Sequence, residues 1–132
     1  MQNLFGKWIW CSGFSTEQFS LLQKVREAVD EWVIQKGYTK KMLPTQEQIA
    51  DDIGVPADQL RIYIRMKTRK TVLTWRKDLR LREAQRLLLD YPELPVSVVG
   101  EMAGMDDKSN FKRQFYQATG MTPRDWREKH LR

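Results

Sequence analysis

The chain has 132 residues, 41% hydrophobic and 30% charged, and its five Trp, five Phe and four Tyr exclude a disordered or low-complexity protein in favour of one compact domain or two very small ones sharing a core. A single Cys11 and a single His130 exclude both an intramolecular disulfide and a His/Cys zinc site within one chain, so no metal or cofactor is expected. The net charge is +6; no apolar run approaches the roughly 20 residues that span a bilayer, and no basic start with a long apolar block opens the chain, which reads as cytoplasmic.

Strict alternation and Asn-Gly or Asp-Gly hairpin turns are absent, so little or no sheet is expected. Ser15 with Gln18 forms a capping box and Phe14 with Phe19 the flanking staple, predicting a first helix from Ser15. Its apolar Phe19, Leu22, Val25, Val29 and Trp32 or Val33 recur at helical spacing until Gly37 stops it. Thr45 with Gln48 opens a second helix that ends near Gly54. Pro56 sits where a third starts, and Leu60, Tyr63 or Ile64, and Met66 or Lys67 carry it to about Thr68. From Thr71 to Asp90 no Gly or Pro occurs, and Leu81, Ala84 and Leu88 share one face of a long helix that Tyr91-Pro92 ends. Val96 to Ala103 forms a short helix stopped by Gly104, and Asp107 to Thr119 another stopped by Gly120. Thr122, Pro123 and Asp125 then cap a last helix running to about His130. The fold class is therefore all-α, with about seven helices.

The helices repeat. Ile49 to Val55 lines up with Val99 to Met105 at an offset of 50; after one inserted residue the offset is 51, setting Leu60 against Phe111, Ile64 against Phe115, Thr68 against Thr119, Thr71 against Thr122 and Trp75-Arg76 against Trp126-Arg127. Each copy reads as a short helix, a turn at glycine and a second helix with one apolar face and one basic and amide-rich face. That is the layout of a helix-turn-helix, whose second helix enters the major groove of DNA while the first braces it. The expected organisation is a tail or junction at 1–14, a first helix-turn-helix subdomain at 15–70, a linker helix at 71–90 and a second subdomain at 91–132. A helix of about 20 residues is roughly 30 Å long, close to the roughly 34 Å between successive major-groove faces on one side of B-DNA. Charge agrees: residues 61–86 hold ten basic and two acidic side chains, so the rest of the chain is slightly acidic, and such a one-sign block favours a polyanionic partner.

Gly104, Asp107, Ser109, Phe111, Arg113, Phe115, Gly120, Thr122, Pro123, Trp126 and Arg127, with the linker pattern Arg80-Leu81, Ala84 and Leu87-Leu88, resemble the DNA-binding domain of the AraC/XylS family of bacterial transcription regulators, over roughly residues 20 to 130. The resemblance implies two homeodomain-like halves, sequence-specific binding of double-stranded DNA and regulation of transcription, with recognition helices at about 57–67 and 107–118. It also admits RNA polymerase and a missing N-terminal sensor or effector domain as partners. Met105 stands where the family prefers an aromatic, Asn110 where it often has Tyr, Gly100 where it usually has Ala and Arg69 where the first copy usually has Gly. Gly100 is expected to loosen its helix by up to roughly 1 kcal/mol relative to Ala.

With Phe111 and Phe115 inward, Lys108, Ser109, Asn110, Lys112 and Arg113 are the DNA-facing candidates of the second copy. With Leu60 and Ile64 inward, Gln59, Arg61, Ile62 and Arg65 are those of the first. Arg suits guanine, Asn adenine and Lys phosphate. Asp58 is read as capping its helix rather than accepting from cytosine. Backbone N–H groups near Thr45 to Glu47 and Val96 to Val98 are further phosphate candidates. Trp75 and Trp126, at equivalent positions after a cap, are read as core. No nucleophile, base or metal cluster assembles and no phosphate-binding glycine loop occurs, so an enzyme is not expected. The rival reading is a basic helical adaptor for an acidic protein or for nonspecific nucleic acid. The apolar 1–14 segment, with Phe5, Trp8, Ile9, Trp10 and Phe14, is expected to pack on the domain or to mark a junction.

Overall fold

The computed structural model describes residues 16–131. The Ser15 cap, the Phe14 half of the staple and the apolar 1–14 segment lie outside the described residues. Those described form α1 (Thr16–Ile34), α2 (Gln46–Ile53), α3 (Ala57–Thr68), α4 (Val72–Asp90), α5 (Val96–Met102), α6 (Lys108–Thr119) and α7 (Pro123–His130), with a 3-10 turn at Gly37–Thr39 and no strand among them.

The chain divides into two compact units. The first comprises residues 16–37 and Leu43–Trp75; the second comprises Tyr38–Met42 and residues 76–131, so the division falls inside α4. In the first unit α3 packs on both α1 and α2. Leu22, Val25, Val29 and Trp32 of α1, Ile49 and Ala50 of α2, and Leu60, Tyr63 and Ile64 of α3 are buried. Trp75 is buried too, its ring stacked on Trp32 with centroids 5.7 Å apart. In the second unit Leu81, Ala84, Leu87 and Leu88 of α4 form one core with Val99, Ala103, Met105, Phe111 and Phe115, against which Trp126 packs. Arg127 fastens this unit: its guanidinium donates to the carbonyl of Leu88 (2.9 Å) in the last turn of α4 and to those of Leu94 (2.7 Å) and Tyr91 (3.3 Å) in the turn that follows it.

The two copies share their turn chemistry. Gly54 and Gly104 take φ of 92° and 99°, letting Val55 donate to the Ala50 carbonyl (3.0 Å) and Met105 to that of Gly100 (2.8 Å). The Thr68 hydroxyl donates to the Ile64 carbonyl (2.7 Å) and the Thr119 hydroxyl to that of Phe115 (2.9 Å). Each helix then closes on a left-handed residue, Arg69 at φ 60° and Gly120 at φ 75°. Thr71 and Thr122 follow as caps, accepting from the N–H of Thr74 (3.2 Å) and Asp125 (3.1 Å). An arginine thus holds a conformation that costs L-residues roughly 1–2 kcal/mol, because the chain must reverse there in both copies.

Three local readings of the sequence need correction. Gly37 does not stop α1, which ends at Ile34 with Lys36 as its left-handed residue (φ 57°). Gly37 is needed for space: a Cβ there would fall inside the Trp32 indole, whose N–H donates to Asp52 (2.8 Å). Asp58 does not cap α3, since the cap position falls at Pro56, without a side-chain hydrogen bond; Asp58 lies in the first turn, where the helix dipole favours a carboxylate. Gly100 is not a weak point relative to alanine, because a Cβ there would stand 2.7 Å from the Phe111 ring. At the equivalent positions the first copy pairs a larger Ala50 with a smaller Leu60.

Gly100→Ala therefore destabilises the chain by about 1–3 kcal/mol through overpacking, despite alanine's helix propensity; urea melts will show it, and adding Phe111→Leu should make the Gly100→Ala step less costly. The Tyr63 hydroxyl generates a second expectation. Burial pushes it up to about 12, with Asp30 raising it further and Arg26 opposing. The unfolded phenol ionises from about pH 10, so Tyr63 contributes stability below that pH that is lost as pH climbs from about 10 to about 12. Tyr63→Phe should flatten the fall of stability across that window, and parallel wild-type and variant curves would refute this.

Candidate nucleic-acid interface

Burying Leu60 and Ile64 on one side of α3 turns Arg61, Ile62 and Arg65 outward, all exposed. Arg65 and Lys67 lie in the last turn of α3, where positive charge complements the helix dipole. Gln59 is half-buried, and with Ile62, Gln18, Leu21 and Leu22 it lines a pocket of about 210 Å³ between α1 and α3. Gln59 thus stands at the edge of the exposed basic face, not at its centre. Lys67 lies 3.9 Å from the Asp30 carboxylate and over the Tyr63 ring, so its charge is partly used within the first unit.

In the second unit Phe111 and Phe115, 1% and 0% exposed, play the same part. Lys108, Ser109, Lys112 and Arg113 of α6 are exposed, and Asn110 is half-buried. Asp107 caps the helix, its carboxylate accepting from the Asn110 N–H at 2.8 Å. The Asn110 side-chain oxygen accepts from the Arg113 guanidinium and from the Gln114 amide (3.2 Å), so these three side chains form one polar group. Tyr116, 56% exposed, shares the outward face. The sequence reading passed over it, although the repeat offset sets it against Arg65 and would have found it.

The ten basic side chains of residues 61–86 are not one uniform patch. Arg86 is bound to Glu83 (2.7 Å) and Asp90 (2.8 Å), which raise its pKa, the Glu83 hydrogen bond most. Arg80 donates to the carbonyls of Tyr38 (2.6 Å) and Lys40 (2.7 Å). Burial, helped by the neighbouring Arg76, lowers Arg80 to about 10, and burial lowers Arg76 as well. The charges most open to a polyanion are those of α3, Arg61 and Arg65, together with Arg69 and Arg82, all exposed.

The helix-start candidates are partly committed: the Thr45 N–H donates to the Gln48 side-chain oxygen (3.2 Å) and the Val98 N–H to the Pro95 carbonyl (3.0 Å). Trp126 is half-buried rather than fully enclosed, edge-on to Phe115 and stacked on His130 at 4.1 Å. Among the described residues no helix is long and apolar enough to cross a membrane.

Known proteins share this arrangement. A family model described as "Helix-turn-helix domain" matches residues 49–129. The chain is 33% identical over 79 residues to the arabinose operon regulatory protein of Escherichia coli K12, covering 60% of this chain and 27% of that protein. It is 31% identical over 115 residues to the HTH-type transcriptional activator RhaR of an Enterobacter species, covering 87% of this chain and 38% of RhaR. The chain therefore spans about a third of the length of these relatives. Among solved structures, the C-terminal domain of AraT, a response regulator from Geobacillus stearothermophilus, superposes with a TM-score of 0.66 at 25% identity, covering 83% of this chain and 84% of that one. An AraC-type transcriptional regulator from Chromobacterium violaceum shares the fold, with a TM-score of 0.67 at 21% identity over 83% of this chain and 94% of its own. The helix-turn-helix model, the regulator relatives and the AraC-type structures agree with the duplicated helices: the chain belongs to the AraC/XylS family of DNA-binding transcription regulators.

Proposed function

We propose that this chain binds specific double-stranded DNA and regulates transcription, α3 and α6 each entering one of two adjacent major grooves. The observation that carries the reading is the like construction of the two helices: each buries two side chains one turn apart, ends on a threonine hydroxyl and a left-handed residue, and turns a polar, cation-bearing face outward. A second helix held in this way against a first is what groove entry requires. Arg61 and Arg65 on α3, and Lys108, Lys112 and Arg113 on α6, supply cations for phosphates and base edges. Gln59, Ile62, Ser109 and Asn110 complete the proposed contact set.

The partners we assign are double-stranded DNA, RNA polymerase and a sensor or effector domain. The last is proposed because the chain matches only 27% of the arabinose operon regulatory protein and 38% of RhaR. Such a regulator acts in the cytoplasm, where bacterial DNA lies.

In vitro selection from a random duplex library tests the reading. It should enrich two short motifs about one helical turn apart, bound 10³-fold or more tighter than a scrambled duplex, with a steep loss of affinity as salt rises, by the roughly 10³ typical of specific recognition. Enrichment of no motif, with equal weak binding to every duplex, would favour the basic adaptor instead. On the selected duplex Arg61→Ala and Arg113→Ala should each cost about 1–3 kcal/mol with little change in stability. Equal losses on cognate and scrambled duplexes would make them phosphate contacts.

A further inference from the structure

The two helices are built alike but are chemically unlike, and the repeat shows where. The offset of 51 sets Arg61 against Lys112, Ile62 against Arg113 and Arg65 against Tyr116. Only at the first of these pairs does a cation face a cation. Ile62 keeps 41% of its surface open, with Met66 (37%) one turn on and the exposed Arg61 and Arg65 beside it, and it also lines the pocket with Leu21 and Leu22. A β-branched residue also gains nothing there from helix propensity. Arg113, its counterpart, is exposed and its guanidinium is tied to the Asn110 side-chain oxygen, which the Gln114 amide also engages. That oxygen already accepts twice, so Asn110 cannot offer adenine its donor–acceptor pair while the group is intact. What it can do is hold one terminal nitrogen of the Arg113 guanidinium, restricting the side chain and leaving its other N–H groups to donate elsewhere.

In the major groove thymine alone presents a methyl group, and guanine alone presents two acceptors side by side. We propose that Ile62 and Arg113 make the two half-sites unlike: Ile62 packs on the methyl of a thymine in the first, Arg113 donates to a guanine in the second, and Asn110 is the positioning residue that fixes Arg113. The inference rests on the DNA-reading function proposed above and adds which bases are read.

The test uses the full chain and the duplex obtained by selection, with each thymine replaced in turn by deoxyuridine and each guanine by 7-deazaguanine. One thymine of the first motif should lose about fourfold in affinity with its methyl, as expected for one buried methyl-sized group, and Ile62→Ala should abolish that difference. One guanine of the second motif should lose about tenfold with its N7, as for a hydrogen bond to a charged donor, and Arg113→Ala should abolish that difference. Asn110→Ala should shrink the guanine effect of the second motif while leaving the thymine methyl effect of the first motif intact, a split that a general loss of folding would not produce. Ile62→Arg should shift the base selected at the first position from thymine to guanine. Indifference of every thymine to its methyl, or an Ile62→Ala loss equal on thymine and deoxyuridine duplexes, would overturn the assignment while specific binding to the selected duplex stood. Failure to select any motif would overturn both.

Discussion

A twelve-residue helix that buries two side chains one turn apart has its rotation about its own axis fixed, and with it the identity of every side chain on the opposite face. Leu60 and Ile64 do this for α3, and Phe111 and Phe115 for α6, each at 0–1% exposure. Burial of one such side chain is worth about 1.5–3 kcal/mol, far more than any single surface contact returns. The outward presentation of Arg61, Ile62 and Arg65, and of Lys112, Arg113 and Tyr116, follows from that burial. The left-handed glycines Gly54 and Gly104 set where each helix can begin, and the Thr68 and Thr119 hydroxyls, with Arg69 and Gly120, set where it ends.

Charge is divided between two tasks. Arginines that reach backbone carbonyls, Arg80 at Tyr38 and Lys40 and Arg127 at the end of α4, serve the fold, because buried carbonyls without partners are costly. Arg86 is neutralised by its two carboxylate neighbours. The cations that remain exposed on α3 and α6 lie on the faces that the buried stripe turns outward. A net charge or a count over residues 61–86 cannot separate these roles, since an arginine at a carbonyl and an arginine at a phosphate look the same in sequence.

Most of the architecture was legible because it rests on local chemistry. Capping threonines at 45 and 122 and the glycines at 54 and 120 fall at helix ends as read, and the repeat supplied the pairing of the two copies. Two of the misreadings share one physical source. Gly37 and Gly100 look like a helix stop and a weak helix residue, yet each is small because an aromatic ring, Trp32 or Phe111, lies against it. Such contacts are tertiary and leave no mark in the local pattern. The same holds for Asn110, whose type suggests adenine until its partners Arg113 and Gln114 come into view. Tyr116 was legible through the repeat and was missed by attention to charge alone.

The most direct measurement of the central claim is a titration of the isotope-labelled chain with the selected duplex, followed by amide chemical shifts. At one chain per duplex, the account predicts perturbations concentrated on the exposed faces of both α3 and α6, at Arg61, Ile62, Arg65, Lys112, Arg113 and Tyr116, appearing together in one binding step. Perturbations confined to one of the two helices, or centred on α1 or α7, would contradict it.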